Sequence, residues 1–409
     1  MPMPECIVIG GGAAGMMAAG TAAEANISVA VLEKNKMLGR KLRITGKGRC
    51  NVTNAVDMEE MMRQITGNAK FLYSAFRGFT NEDTVTFFER WGVPLKTERG
   101  GRIFPQSDKA IDIVNAMIRF CRENGVKYVQ GQAEEILMKQ DSVCGVRLQN
   151  GMEIPCRSVI LATGGKSYPL TGSTGDGYRM AQRLGHTIVP PRASLVPVET
   201  QETWVHAMQG LSLKNAKLTL LEEGKACFEE QGELLFTHFG LSGPLVLSAS
   251  CHMKYLPQRR YEIHIDLKPA LDEKKLEERL LRDFADYANR DFINYLPTLV
   301  PQKLTDYLLR ESGVGAHDKV HQIRREQRRN VVKALKEMRI PVSGLRPIEE
   351  AIVTAGGVNV KEINPSTMQS KLVRGLYFAG EVMDVDAYTG GYNLQIAFST
   401  GALAGQLKG

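Results

Sequence analysis

The 409-residue sequence lacks any apolar run of about 18 residues, the length that a membrane-spanning helix needs. No lysine or arginine precedes the first apolar stretch and glycines interrupt it, so the pattern of a secretory signal peptide is missing. The seven cysteines are scattered and form no CxxC pair, which favours reduced thiols over a disulfide framework. We therefore expect a cytoplasmic protein without a membrane segment.

Charge of either sign is not in large excess, since 52 Lys and Arg residues stand against 45 Asp and Glu residues, a formal net charge of +7. This balance permits an anionic ligand or RNA but requires neither. Hydrophobic residues make up 43% of the chain, which is ordinary for a globular protein. The length predicts two or three domains rather than one.

The stretch CIVIGGGAAGMMAA, at 6–19, predicts a short buried strand followed by an alanine-rich helix. Between them, Gly10, Gly12 and Gly15 fit the pattern G-x-G-x-x-G. In a dinucleotide-binding βαβ unit these glycines make the tight turn, let a pyrophosphate approach the backbone and let the helix pack on the strand. A second strand ends at Glu33, whose carboxylate can accept both hydroxyls of an adenosine ribose. The segment therefore predicts a dinucleotide site.

Which dinucleotide binds is left open by this first segment. Lys34, Arg40 and Lys41 follow the second strand closely. Their charges could hold the 2′-phosphate of NADP, and they could equally hold the pyrophosphate of FAD.

Two later segments favour FAD. RGLYFAG, at 374–380, is a short apolar strand followed by Glu381, and SVILATGG, at 158–165, is another that ends in glycines. A helix that begins near Tyr392 can direct its N-terminal N–H groups at the N1–C2=O edge of a flavin, which becomes negative on reduction. Three strand–glycine units along one chain suit one FAD held along its length.

Five motifs, in order along the chain, resemble those of a known family. They are GRKLRITGKGRCNVTN (39–54), GGRIFPQSDKA (100–110), STGDGY (173–178), LLFTHFGLSGP (234–244) and GEVMDVDAYTGGYNLQIA (380–397). The sequence resembles the BaiN/YhiN-type flavoproteins, which include bile-acid Δ4,6-reductase and aminoacetone oxidase. The three strand–glycine units resemble, more broadly, those of the flavoproteins with two dinucleotide-binding domains. Ala387 departs from the family pattern, which often has glycine there.

The resemblance implies an α/β fold in which a Rossmann-like FAD-binding domain of the glutathione-reductase type carries two insertions. We expect the FAD-binding domain at 1–191 and 346–409. Alternating apolar and polar runs predict a β-rich, barrel-like substrate subdomain at 192–268. Helical patterns predict a small cap subdomain at 269–345, with Asp272 as the N-cap of its first helix. Further helices are predicted from Pro301 to Gly313 and at 321–338.

The motifs together predict non-covalently bound FAD. NAD(P)H would be a transient co-substrate, because no second G-x-G-x-x-G follows a strand in the middle of the chain. Cys50 has no partner cysteine at short spacing and is expected to be a small residue beside the cofactor. The predicted cofactor-binding residues are Gly10, Gly12, Ala13, Ala14, Gly15, Glu33, Lys34, Arg40, Lys41, Gly46, Arg49, Cys50, Asn51, Ala133, Thr163, Gly164, Gly165, Gly380, Glu381, Asp384, Gly391, Tyr392, Asn393 and Leu394.

The predicted reaction is hydride transfer between flavin N5 and a small organic substrate. The resemblance suggests NADH-dependent reduction of a conjugated C=C in a 3-oxo-4,6-dienoyl bile acid, a step of bile acid metabolism. Oxidation of aminoacetone or another amine by O₂ is the alternative. A conjugated ketone needs a proton donor as hydride arrives, and the candidate catalytic residues are His238, Tyr388 and Tyr392.

A basic run, RREQRRNVVKALKEMR at 324–339, places seven basic and two acidic residues on one predicted helix. It could contact RNA phosphates, so the alternative of another class is a flavin-containing RNA-binding protein. The run lacks aromatic residues for base stacking, which favours a solvated helix face, and no nucleic acid partner is expected. His317 and His321 have the spacing of zinc ligands but no third ligand nearby, so no metal site is predicted.

Overall fold

The computed structural model describes residues 3–408, which form two units. Unit 1 comprises the residues up to Ser194 and those from Pro347 onward, and unit 2 comprises Leu195–Arg346. Both junctions lie within a few residues of the boundaries predicted for the FAD-binding domain. Each unit has its own apolar core.

Helices and strands are numbered here in chain order. The helices are α1 (Ala13–Glu24), α2 (Arg40–Ile44), α3 (Met58–Arg63), α4 (Tyr73–Gly78), α5 (Asn81–Arg90), α6 (Ala110–Glu123), α7 (Asp176–Arg183), α8 (Thr203–Ala207), α9 (Pro244–Ser250), α10 (Glu273–Asp286), α11 (Phe292–Tyr295), α12 (Thr305–Ser312), α13 (Arg325–Lys336) and α14 (Tyr392–Gly405). The strands are β1 (Cys6–Ile9), β2 (Val29–Glu33), β3 (Thr53–Asn54), β4 (Leu95–Thr97), β5 (Arg102–Pro105), β6 (Lys127–Gln130), β7 (Ala133–Lys139), β8 (Ser142–Leu148), β9 (Glu153–Pro155), β10 (Ser158–Leu161), β11 (Ile188–Ser194), β12 (Val198–Glu199), β13 (Ser212–Glu222), β14 (Lys225–Thr237), β15 (Gly240–Ser242), β16 (Tyr261–Asp266), β17 (Met338–Pro341), β18 (Gly344–Leu345), β19 (Val353–Val358) and β20 (Leu376–Phe378).

The main sheet of unit 1 has the strand order β20-β10-β1-β2-β6, and every neighbouring pair is parallel. β1 is buried along its whole length, as expected for a parallel strand covered on both faces. β10 and β20 come from distant parts of the sequence but lie on one side of β1, so the carboxyl ends of all three meet at one edge. The predicted α/β class with a Rossmann-like sheet is confirmed.

Helices α1 and α14 pack together closely because glycine replaces larger residues at their contact. A Cβ at Gly401 would lie 2.5 Å from the carbonyl oxygen of Ala14, and one at Gly405 would lie 2.5 Å from that of Ala18. These two glycines are one turn apart on α14, so the close approach continues along the helix. It fixes the start of α14 relative to the glycine-rich turn that precedes α1.

The sheet of unit 2 has seven strands in the order β17-β16-β13-β14-β15-β12-β18, with antiparallel pairing throughout. β17 and β18 form its two edges, yet only Val342 and Ser343 separate them in sequence. A link this short brings the two edges close together, so the sheet curls towards a barrel without being closed by hydrogen bonds.

The helices of unit 2 pack on this sheet around one shared core, which includes Leu218 and Ile263 from strands and Leu280 and Leu335 from helices. Asp272 accepts a hydrogen bond from Lys275 N at 2.8 Å, which confirms the predicted N-cap of α10.

The prediction was wrong at the end of the helical segment, because 338–345 forms β17 and β18 rather than helix. The helix predicted at 321–338 is shorter, since residues 320–322 form a 3₁₀ turn and Met338 begins β17. Likewise the helix predicted from Pro301 begins only at Thr305, after a 3₁₀ turn.

Each unit has a pair of strands at its junctions. In unit 1, β11 precedes the first junction and pairs antiparallel with β19, which follows the second, with Ser194 opposite Val353. In unit 2, β12 pairs antiparallel with β18, with Val198 opposite Leu345. The chain therefore leaves and re-enters unit 1 along adjacent strands.

Candidate cofactor site

Glycine-rich turns from distant parts of the sequence meet at the carboxyl edge of the unit 1 sheet. A Cβ at Gly10 would lie 2.5 Å from the carbonyl oxygen of Ala162, in the turn after β10. A Cβ at Gly380 would lie 2.7 Å from the Cβ of Ala14, in the first turn of α1. Both glycines also have positive φ, +107° and +73°. Side chains at these positions would push the three turns apart.

The turn before α1 leaves space in front of the helix. Gly12 is the N-cap residue, is extended, and provides no side-chain cap. A Cβ at Gly12 would meet nothing within 4 Å, whereas one at Gly15 would collide with the carbonyl oxygen of Gly10. The first N–H groups of a helix have no partner within it and carry its positive dipole end. This open, uncapped N-terminus suits a pyrophosphate.

Glu33 lies at the end of β2, beside the same turn. Its Oε2 accepts a hydrogen bond from Gly11 N at 2.8 Å, and its Oε1 accepts one from Asn35 N at 2.8 Å. Asn35 Nδ2 also donates to Oε1 at 2.7 Å. A carboxylate has about four acceptor positions, so one remains for a ribose hydroxyl. Arg40 donates to Asn35 Oδ1 at 2.8 Å and supports this arrangement.

The two predicted phosphate-binding lysines both pair with carboxylates of the protein. Lys34 lies 2.6 Å from Asp176, and Lys41 lies 2.8 Å from Glu381. Glu381 also accepts a hydrogen bond from Thr354 N at 2.8 Å. Lys41 and Glu381 therefore hold each other in place across the edge of the sheet.

Two predicted residues have buried side-chain oxygens without a hydrogen-bond partner among the described residues, Asn51 Oδ1 and Thr163 Oγ1. Leaving such a group unpaired costs about 1–3 kcal/mol. Thr163 follows the turn that meets Gly10, and the backbone N of Asn51 lies 3.2 Å from where a Cβ of Gly46 would be. Unpaired buried oxygens in two of the predicted segments fit the polar groups of a bound dinucleotide.

Two further predicted residues of the 39–54 segment are Arg49, which forms ion pairs, and Cys50, which is buried. Arg49 pairs with Glu98 at 2.5 Å and with Asp108 at 2.6 Å. The Arg49 guanidinium lowers the pKa of the Glu98 carboxyl, while Lys96 and then Arg49 lower that of Asp108. Burial raises the pKa of the Cys50 thiol to about 12, so it stays protonated at neutral pH and is a poor redox nucleophile.

A second uncapped helix start lies at α14. Its N-cap, Gly391, has φ +101°, and a Cβ there would collide with the carbonyl group of Thr53. A Cβ at Gly390 would lie 2.5 Å from the ring of Tyr392, which is only 6% exposed. The Tyr392 ring is thus wedged against the glycine pair, and the first N–H groups of α14 have no side-chain cap.

The loop before α14 is fixed by Asn393, whose side chain accepts from Ala387 N at 3.0 Å and donates to Ala387 O at 2.7 Å. Asp384 accepts a hydrogen bond from Asn68 at 3.0 Å, and burial, followed by the Asp386 charge, raises its pKa. Ala387 is buried and has no positive φ, so the departure from glycine causes no backbone strain.

The other predicted residues lie in unit 1 as well: Ala13 and Ala14 in α1, Ala133 at the start of β7, Gly164 and Gly165 after β10, and Leu394 in α14.

Sequence reasoning missed Gln395, which is fully buried in α14. Its Oε1 accepts hydrogen bonds from Thr53 Oγ1 at 2.6 Å and Thr84 Oγ1 at 2.8 Å. Its Nε2 donates to Ser399 Oγ at 2.9 Å and to Phe79 O at 3.2 Å. The signal was a single amide within an otherwise apolar stretch of helix, since such a residue must find polar partners.

The candidate proton donors lie in both units. His238 is exposed in the turn between β14 and β15 of unit 2, with its ring 5.0 Å from that of Phe239. Tyr388 is half-buried in the loop before α14 of unit 1, and Tyr392 begins that helix.

Replacing Glu33 by alanine should weaken FAD binding roughly tenfold or more, because a hydrogen bond to a charged acceptor, worth about 1.5–3 kcal/mol, is lost. Titration of apoprotein with FAD, followed by flavin fluorescence, measures the change. Glu24→Ala, an exposed glutamate at the end of α1, is the matched control. Parental affinity in Glu33→Ala would contradict the assignment.

Within residues 3–408, no helix has both the length and the apolar character needed to cross a bilayer. The same residues contain no group of three or more His, Cys, Asp or Glu side chains placed to hold a metal ion.

Comparison with known proteins places this site in context. The profile of the family described as HI0933-like protein Rossmann domain matches residues 4–407. A ribosomal RNA dihydrouridine synthase of Escherichia coli is 32% identical over 97% of this chain and 96% of its own length. A 3-dehydro-bile acid Δ4,6-reductase of Clostridium scindens is 32% identical over 98% and 97%. The structure of 3-ketosteroid Δ1-dehydrogenase from Sterolibacterium denitrificans covers 99% of both chains with a TM-score of 0.53 and 12% identity, which reflects a shared fold.

Proposed function

The chain belongs to the HI0933-like family and is an FAD-dependent oxidoreductase, and from this premise we propose that it reduces a C=C bond conjugated to a carbonyl group. The two relatives act on unlike molecules, but the chemistry implied by their names is the same. The C5=C6 bond of uracil is conjugated to the C4 carbonyl, and the Δ4,6 bonds of a 3-dehydro bile acid are conjugated to the 3-oxo group. This shared bond type is the observation that carries the proposal.

FAD, when bound, supplies the hydride at N5. The chain would hold it through the open turn at Gly12, the carboxylate of Glu33 and the unpaired oxygens of Asn51 and Thr163. The uncapped start of α14 offers N–H groups and a positive dipole end, which favour negative charge on a group in front of Gly391.

The substrate needs a proton at its α carbon when hydride reaches the β carbon. We assign the donor to one of three side chains, His238 of unit 2 or Tyr388 and Tyr392 of unit 1. A positioned donor contributes roughly 10²–10⁴-fold to the rate. Burial of Tyr392 favours a packing role for its ring, whereas Tyr388 and His238 are more accessible.

For the substrate we favour a uracil ring in ribosomal RNA. Sequence identity does not distinguish between an RNA and a bile acid substrate, because both relatives are 32% identical to the chain. Arg325, Arg329 and Lys333 of α13 are exposed and have no ion pair or hydrogen bond among the described residues. Such free cations suit a polyanion better than a bile acid with its single carboxylate. A 3-oxo-4,6-dienoyl bile acid is the second candidate, supported by the equally similar relative, and NADH or NADPH would be the electron donor in both cases.

An anaerobic assay tests this proposal. The holoenzyme is reduced with NADH or NADPH, then mixed with an unmodified ribosomal RNA transcript or with the dienoyl bile acid, and flavin reoxidation is followed. Mass spectrometry of the product should show nucleosides that have gained two hydrogens. Turnover with the bile acid alone would replace the RNA substrate with the second candidate, and turnover with neither would overturn the proposed reaction.

Of His238→Ala, Tyr388→Phe and Tyr392→Phe, the variant that lacks the proton donor should keep FAD bound but slow the substrate half-reaction at least tenfold, a barrier increase of about 1.4 kcal/mol. Tyr392→Phe should have the smallest effect, because it keeps the packed ring. Rapid mixing of reduced enzyme with substrate measures the rate. Tyr73→Phe, which removes an exposed hydroxyl of unit 1, is the control. If all three candidate variants react at the parental rate, the proton donor lies elsewhere.

A further inference from the structure

The basic run of α13 has no aromatic residue of its own, but the fold of unit 2 brings two aromatic rings beside it. Trp204 of α8 and Tyr307 of α12 stack with ring centroids 5.0 Å apart and planes inclined by 24°. The Tyr307 hydroxyl donates to the carbonyl oxygen of Ala334, in α13, at 3.4 Å. The stacked pair is therefore attached to the basic helix, although its members lie far apart in sequence.

A groove of about 640 Å³ lies at this place, and Trp204, Tyr307, Asn330 and Lys333 all line it. The Cζ atom of Arg310 lies 4.9 Å from the Trp204 ring centroid and 5.5 Å from that of Tyr307. With the two rings 5.0 Å apart, these distances form a nearly equilateral triangle. The guanidinium therefore lies beside the stacked pair rather than over the opposite face of the indole, and Trp204 is partly exposed where it lines the groove.

The charges around the groove divide into paired and unpaired sets. The carboxylates that line it have partners: Glu202 accepts from Trp204 Nε1, Glu311 pairs with Arg310, Glu337 pairs with Arg339, and Glu262 lies beside His264. Arg325, Arg329 and Lys333 are spaced four residues apart, so they form one stripe along α13 about 12 Å long. The groove lining itself holds four carboxylates and three cations, so the net positive charge that phosphates could contact lies along the stripe on α13 and not within the groove.

We propose that this groove binds a single-stranded segment of RNA, with one base stacked on Trp204 and backbone phosphates against Arg325, Arg329 and Lys333. Base stacking on an aromatic ring and phosphate contact by cations are the two components of single-strand recognition. The inference rests on the RNA substrate proposed above, but it concerns a different part of the RNA from the uridine that is reduced. The groove would hold the substrate RNA by a neighbouring unpaired segment.

Trp204 can report directly on its own occupancy. The chain has 2 tryptophans, so Trp91→Phe leaves Trp204 as the single indole fluorophore. Titration of this holoenzyme with oligouridylate should quench the fluorescence, with the same midpoint as fluorescence anisotropy of labelled RNA. Trp204→Ala should weaken RNA binding roughly tenfold, and Trp204→Phe should restore most of it, because a smaller ring still stacks.

The phosphate contacts are tested by changing Arg325, Arg329 and Lys333 together to glutamine. Affinity should fall at least tenfold, and the slope of log affinity against log salt should become shallower by about 2, since each single-strand phosphate contact contributes roughly 0.7. Lys214, Lys225 and Lys254 are exposed lysines of unit 2 that do not line the groove, and their triple glutamine variant is the matched control.

Outcomes separate this inference from the proposed function. All variants should keep their FAD and its reduction by NADH at the parental rate. If RNA binding is unchanged in both the Trp204→Ala and the triple glutamine variant, the groove is not an RNA-binding site. Quenching of Trp204 fluorescence by NADPH but not by RNA would lead to the same conclusion. If RNA binding depends on the groove but the parent protein forms no dihydrouridine, the proposed reaction is refuted and the RNA-binding groove is not. If Trp204→Ala does not fold, the inference is tested by quenching of Trp204 fluorescence in the Trp91→Phe protein and by the RNA affinity of the triple glutamine variant.

Discussion

Replacing Gly12 by alanine should abolish FAD retention while leaving the stability of the apoprotein unchanged. The new methyl group would meet no protein atom within 4 Å, and the backbone there is extended, so nothing in the protein opposes it. The same methyl group would occupy the space in front of α1 that a pyrophosphate needs to reach the N–H groups. Loss of several charge-assisted hydrogen bonds should lower affinity by at least about 100-fold.

Two measurements on Gly12→Ala distinguish a blocked site from a damaged fold. Visible flavin absorbance after gel filtration reports retention, and thermal melting of the apoproteins reports stability. Gly78→Ala is the matched control, because a Cβ at Gly78, in α4, also meets nothing within 4 Å. A Gly12→Ala protein that binds FAD like the parent would show that the cofactor does not approach this turn. A lower melting temperature of its apoprotein would show that the glycine serves the fold instead.

Gln395→Leu should lower the free energy of unfolding by about 2–4 kcal/mol, because it leaves buried polar groups without partners. Thr53 Oγ1 would lose its acceptor, while Thr84 retains a hydrogen bond to Thr80 O at 3.1 Å. Denaturant unfolding of the apoprotein gives the difference. Gln406→Leu, at the partly exposed C-cap of the same helix, should change stability little. Equal stability of the two variants would show that the buried network contributes nothing net.

The β1–α1–β2 unit could be predicted from sequence because its signals are local. Burial of an unbroken apolar run, three glycines at fixed spacing and a carboxylate at the strand end all lie within residues 6–33. The partners of Lys34 and Lys41 could not be predicted, since a charge does not indicate which distant carboxylate it will meet. Lys41 and Glu381 are 340 positions apart in the sequence, and only the folded chain brings them within 2.8 Å.

The end of unit 2 shows how a helical pattern can mislead. Val331, Leu335 and Met338 have helical spacing, which continues past the true end of α13. Met338 instead pairs with Ile265 of β16, and that partner cannot be inferred from the local pattern. The aromatic partners of α13 were hidden in the same way, because Trp204 and Tyr307 come from other helices.

The paired strands at the junctions of the two units bear on how such a chain can change over time. Since β11 and β19 leave unit 1 side by side, and β12 and β18 do the same in unit 2, the insertion is joined to its host through the ends of two ribbons. The parallel sheet of unit 1 contains no strand from between Ser194 and Val353. A change of sequence within unit 2 therefore replaces no strand of the sheet that carries the glycine turns, so the insertion could diverge while its host sheet is retained.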